Sequence, residues 1–164
     1  MTTATTLGLL SLLAGPAMPP SLPEGWRRPK AGEVAQPWRA RSTTHFTTAR
    51  ADFDGDGKPD EAALLAAESG TACALVVMKG DAGAPVILER FDGVAAFGTL
   101  GVDVAKPGTY TSACGKGYFE CGKDEPRTVV LKLPAIDLFR EESARSFYVY
   151  DDGKRTFVRV WMSD

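Results

Sequence analysis

Four aspartates within nine residues are the strongest chemical signal in the chain. In Asp52-Phe53-Asp54-Gly55-Asp56-Gly57-Lys58-Pro59-Asp60 they fall at the first, third, fifth and ninth places. A hard cation such as calcium takes about six to eight oxygen ligands, and a loop supplies them by alternating carboxylates with a main-chain carbonyl. Asp52, Asp54, Asp56 and Asp60 are the expected side-chain ligands. Lys58 at the seventh place contributes its backbone oxygen and is free to point its side chain at water. Gly57 stands where a sharp turn calls for positive φ, and Gly55 adds further freedom. Four carboxylates packed this closely repel one another, so the loop is expected to be loose until Ca2+ binds. The competing reading is a solvent-exposed turn whose aspartates confer only polarity.

The spacing departs from an EF-hand, because the twelfth place, which should carry a bidentate Glu, is Ala63. The segment before the loop also has strand rather than helix composition. Asp52 to Asp60 instead resembles the Asp-x-Asp-x-Asp-Gly-x-x-Asp loop of FG-GAP and VCBS-type repeats, in which it joins two strands of a propeller blade. A single copy is present, so a propeller of several such blades is not implied. More loosely, Ala113-Cys114-Gly115-Lys116-Gly117-Tyr118 and the closing Val160-Trp161-Met162-Ser163-Asp164 resemble stretches of small exported bacterial proteins. Some exported proteins with similar loops are similar to inhibitors or immunity proteins that act on cell-wall-cleaving enzymes.

The cysteines offer a second feature. Cys114 and Cys121 bracket Gly115-Lys116-Gly117-Tyr118-Phe119-Glu120, a span able to close as a disulfide-bonded hairpin; reduced thiols in a cytosolic protein are the alternative. Closing it would stabilise the fold by roughly 2 to 3 kcal/mol. The loop would hold Tyr118 and Phe119 rigidly beside Lys116, which is what an interface anchor needs; the other possibility is that a ring packs onto the sheet. Cys73 lies in an apolar run and reads as a small buried hydrophobe.

No catalytic cluster emerges. The single His45 has no partner and reads as structural, and neither a nucleophile elbow nor a phosphate-cradling loop is present. Paired carboxylates able to cleave a glycoside would be brought together only by the fold.

The elements that must position these groups are short and extended. Strands are expected at 43–49, 72–78, 85–91, 128–133, 135–139, 146–150 and 156–161, separated by Gly, Pro and Asp. Asp151-Asp152-Gly153-Lys154 suits a two-residue type I′ turn. Residues 61–68, Glu-Ala-Ala-Leu-Leu-Ala-Ala-Glu, have helix-forming composition, yet strand is preferred. The fold class is therefore all-β and mainly antiparallel: a small sandwich or propeller-blade-like sheet with the calcium loop between two strands and room for one short helix.

At 164 residues and 44% hydrophobic the chain is long enough for one domain with a core. Residues 1–18 carry an uncharged apolar run ending in small residues and read as a signal peptide. Residues 19–40 form an irregular, Pro-rich lead-in containing Arg27-Arg28-Pro29-Lys30, read as a solvated linker, and 41–164 the β-rich domain. A net charge of −2 gives no general attraction to nucleic acid, and no later stretch suits membrane insertion. The expected role is a periplasmic or secreted, non-enzymatic, calcium-binding module. Its partner would be another protein in the envelope or outside the cell, and its action that of an inhibitor or immunity protein. The alternative is an envelope-directed hydrolase with structural calcium, and a third reading is an assembly module.

Overall fold

A computed structural model describes residues 21–81 and 83–163; the expected signal peptide lies outside them. Among the described residues the β-branched and apolar runs form eleven strands: β1 (Trp26–Arg27), β2 (Thr48–Ala51), β3 (Asp60–Ala67), β4 (Ala72–Met78), β5 (Val86–Asp92), β6 (Leu100–Ala105), β7 (Gly108–Thr111), β8 (Thr128–Leu131), β9 (Ala135–Arg140), β10 (Arg145–Asp151) and β11 (Thr156–Ser163). One sheet runs β1-β3-β4-β5 with β2 also paired to β3, a second runs β11-β10-β9-β6, and β7 and β8 form a separate ribbon. All the pairings are antiparallel. The architecture is an all-β sandwich.

Alternation within β3 explains its misleading composition. Ala62, Leu64 and Ala66 face the inter-sheet core with Leu75, Val77, Val102, Ile136 and Leu138, while Ala63 and Leu65 face outward with Ala74 and Val76. Leu22 and Trp26 from the lead-in pack against that outer face. A strand covered on both faces reads as a continuous apolar run, which is how residues 60–67 come to look like a helix while pairing as a strand. The β7–β8 ribbon covers the outer face of the second sheet through Val129 and Leu131, which pack with Ala135, Phe147 and Met162.

Several boundaries differ from the sequence reading. The strand expected at 43–49 begins only at Thr48, because His45 and Phe46 adopt left-handed φ values of 51° and 53° and turn the chain. Thr156 pairs with Asp151, so the last hairpin closes over four residues rather than two; the Asp151 carboxylate accepts the Lys154 N–H, and Arg155 supplies a positive φ of 53°. Strands β6 and β7 were not anticipated. Helical structure among the described residues is limited to 3₁₀ turns at Ala31–Val34, Pro37–Arg41 and Val94–Gly98.

Residues 21–41 are docked rather than solvated. Arg27 makes a two-bond ion pair with Glu33, whose carboxyl that hydrogen bonding holds down at about 2. Arg28 reaches Glu61 at 2.5 Å. Arg39 is 1% exposed and donates to the carbonyls of His45, Phe97 and Leu100.

Candidate metal centre

The acidic loop closes the β2–β3 hairpin, whose last pair is Ala51 with Asp60. Each aspartate first shapes the loop. Asp52 accepts the N–H groups of Gly55 (2.7 Å) and Gly57 (2.9 Å), Asp54 accepts that of Asp56, and Asp56 accepts that of Lys58. Gly57 has φ 83°, the conformation its place in the motif calls for.

Asp60 is the buried foot of the site, at 1% exposure. One of its carboxylate oxygens accepts the Phe53 N–H at 3.0 Å and the other the Gly80 N–H at 2.9 Å. Burial raises its pKa, the two N–H groups oppose that rise, and the charges of Asp54 and Asp56 add to it. The loop is thus clamped from two sides, by its own Phe53 and by the β4–β5 turn. Gly80 is required for this approach, since a Cβ there would stand 2.7 Å from the Pro59 carbonyl and 2.9 Å from the Lys58 Cβ.

Asp52, Asp54 and Asp60 each present an oxygen within 4.8 Å of the other two. Asp56, expected as the fourth carboxylate, stands outside this cluster on the exposed side of the loop, and the Lys58 side chain is exposed. The three carboxylates fit a hard cation. They offer only oxygen, and each carboxylate has about four acceptor sites, so the N–H bonds already made leave lone pairs available.

Lys79, from the β4–β5 turn, was not singled out in the sequence. Its Nζ lies 2.8 Å from the Asp54 carboxylate, with Asp54 only 5% exposed at its side chain. Hydrogen bonding to Asp54 raises the lysine pKa. The signal that could have found it is register: Glu61 pairs with Met78 across the β3–β4 hairpin, which sets Lys79 beside Asp60 at the mouth of the loop.

Cys114 and Cys121 are bonded, with Cα atoms 5.0 Å apart. The enclosed segment is wound into turns rather than a hairpin, with the N–H groups of Lys116, Gly117 and Tyr118 donating to the carbonyls of Ser112, Cys114 and Ala113. Tyr118 is 55% and Phe119 38% exposed, and Lys116 donates from Nζ to the Met162 carbonyl at 2.7 Å. Cys73 is a buried free thiol whose pKa burial pushes up to about 11.

A further carboxylate escaped sequence reading. Asp137, in the middle of β9, is 7% exposed, and its Oδ1 has no aligned hydrogen-bond donor although the Arg145 Nε lies 3.3 Å away. Burial pushes its pKa up to about 6; Arg145 opposes the rise and Asp103 adds to it. The folded state therefore holds this proton more tightly than the unfolded chain does. Stability tied to the neutral form is fully present below the ordinary carboxylate value of 3.8 and is lost as pH rises through about 6. Asp137→Asn is expected to match the parent at pH 4 and to exceed it by about 2 kcal/mol at pH 8, measured by urea unfolding. Parallel stability curves for the two proteins between those pH values would refute this assignment.

Among the described residues no helix is long and apolar enough to cross a membrane. Set against known proteins, the chain matches no family model, no curated protein and no solved structure.

Proposed function

We propose that this protein is an exported, calcium-stabilised, non-enzymatic binding module that inhibits an envelope-cleaving enzyme through its disulfide loop. The observation that carries the reading is the convergence of Asp52, Asp54 and Asp60 at the mouth of one hairpin. Asp52, Asp54 and Asp60 would hold the ion, which would supply the positive charge needed to keep their carboxylates together. The loop's placement between two paired strands is in keeping with its likeness to the FG-GAP and VCBS-type loop.

Location outside the cytoplasm is supported by the signal-peptide reading and by the Cys114–Cys121 bond, which is compatible with an oxidising compartment. Recognition is assigned to Tyr118 and Phe119, because exposed rings on a covalently closed loop lose little freedom on binding. Lys116, already tied to Met162, stiffens the same loop.

Two measurements on the mature chain test this. Calorimetric titration with calcium chloride is expected to show one site. In a peptidoglycan-turnover assay the protein should suppress cleavage by an added envelope hydrolase, and joint replacement of Tyr118 and Phe119 by alanine should weaken suppression at least tenfold while leaving calcium binding intact, as for paired aromatic anchors worth about 2 kcal/mol. Full suppression by the folded double variant would remove the loop from the interface.

A second reading, an envelope-directed hydrolase, is favoured by Asp137. A carboxyl poised at about 6 is suited to proton transfer, and its ion partner Arg145 lines a groove of about 530 Å³ with Tyr110 and Phe147. Peptidoglycan cleavage by the protein alone, lost in Asp137→Asn, would favour the enzyme over the inhibitor.

A further inference from the structure

The calcium loop already carries a cation of its own. Lys79 reaches it from the β4–β5 turn, and its Nζ sits 2.8 Å from Asp54 Oδ2. The pair is drier than an ordinary surface contact, with the lysine side chain 21% and the aspartate 5% exposed. The anchoring is firm, because the adjacent Gly80 N–H is fixed to the buried Asp60. Of the three clustered aspartates, Asp54 is the one with a charged partner among the described ion pairs.

The surroundings provide a second place for the ammonium group. Lys79 Nζ stands 5.2 Å from the centre of the Tyr150 ring, and the two share an open cavity with Asp54, Asp56, Asp81, Asp152 and Arg155. Asp81 and Asp152 are acceptors on two different turns, β4–β5 and β10–β11. A lysine leaving Asp54 therefore has carboxylates and an aromatic face within the same cavity, so its release does not strand a charge.

We propose that Lys79 is a tethered counter-cation, which holds Asp54 while calcium is absent and gives it up to the ion, turning toward Asp81 and Asp152 about the Tyr150 ring it already overlies. This rests on the calcium reading above. Two consequences follow from the exchange. Lys79 weakens calcium affinity by competing for Asp54, and calcium occupancy is transmitted to the β10–β11 turn, on the second sheet, by re-pairing of one side chain.

The test uses the full chain and calcium chloride. Lys79→Met and Lys79→Gln are each expected to bind calcium about fivefold more tightly than the parent, the factor corresponding to loss of a competing ion pair of ordinary strength. In the unsubstituted protein, the 15N signal of the Lys79 ammonium group should shift on calcium saturation, and Tyr150 ring signals should shift with it. Unchanged or weaker affinity in both variants, or a lysine signal unmoved at saturation, overturns the exchange and leaves the calcium site standing. Absence of calcium binding in the parent and both variants overturns the exchange and the calcium reading together.

Discussion

Replacing Arg39 with methionine is expected to lower the free energy of unfolding by about 4 kcal/mol, because three main-chain carbonyls lose their donor. The guanidinium donates at 2.8 Å to His45, at 2.5 Å to Phe97 and at 2.6 Å to Leu100, and through Nε to Gln36 at 2.8 Å. It also lies 4.3 Å from the centre of the Trp38 ring. None of these partners is an anion, so the cation is held by main-chain carbonyls, an amide oxygen and an aromatic face. Burial lowers its pKa to about 10, which leaves it charged at neutral pH. The desolvation penalty is thus present in the folded protein, and removing the charge recovers part of it. The opposing cost is larger, because carbonyls in the 3₁₀ segment and at the start of β6 lose their donors, at about 1 to 3 kcal/mol each when buried. Guanidinium chloride unfolding of Arg39→Met measures the balance. A loss below about 1 kcal/mol would mean that these carbonyls find other donors and that Arg39 does not tie the lead-in to the sandwich.

That arginine marks where sequence reading stops. The strands at 72–78, 135–139 and 156–161 were legible because β-branched and aromatic residues are bounded there by Gly, Pro and Asp. The clustering of carboxylates at 52–60 was legible because Asp52, Asp54 and Asp60 lie within nine residues of one another and converge through one local turn. Arg39 was not, since its partners lie at Phe97 and Leu100, far along the chain, and nothing in Pro37-Trp38-Arg39 distinguishes a buried guanidinium from a solvated one. Strand β6 did carry a strand signal, since Leu100, Val102 and Val104 alternate with Gly101 and Asp103, but it is only six residues long and its glycine lowers strand propensity. The glycine is there because the Phe139 ring lies where a side chain would go, with ring carbon Cζ 2.3 Å from an ideal Cβ position. Lys79 and Asp137 share the same limit. Each is ordinary in its local context and acquires its environment from cross-strand register and layer packing. Asp56 shows the converse, a residue that satisfies the motif yet points its carboxylate to the outer side of the loop, where the Lys58 N–H claims it.

Asp60→Ala is expected to separate the two roles of the acidic loop. Without calcium the variant should lose about 3 kcal/mol of stability, because the Phe53 and Gly80 N–H groups, both bonded to this carboxylate, are left without an acceptor. If the proposed site binds calcium, the parent at a hundredfold excess over the dissociation constant is expected to gain about 2.7 kcal/mol from preferential binding to the folded state. The variant, lacking the buried member of the three-carboxylate cluster, should gain none. The stability gap between the two proteins therefore roughly doubles on adding the ion, whereas a purely structural aspartate would leave it constant. Asp60→Asn sharpens the comparison: it retains one acceptor oxygen, so its deficit without calcium should be smaller, yet the loss of the negative charge should still abolish the calcium increment. Thermal or urea unfolding of the three proteins in chelator and in calcium gives all the values needed. A full calcium increment in Asp60→Ala would place the ion elsewhere and reduce Asp60 to a clamp on the β4–β5 turn.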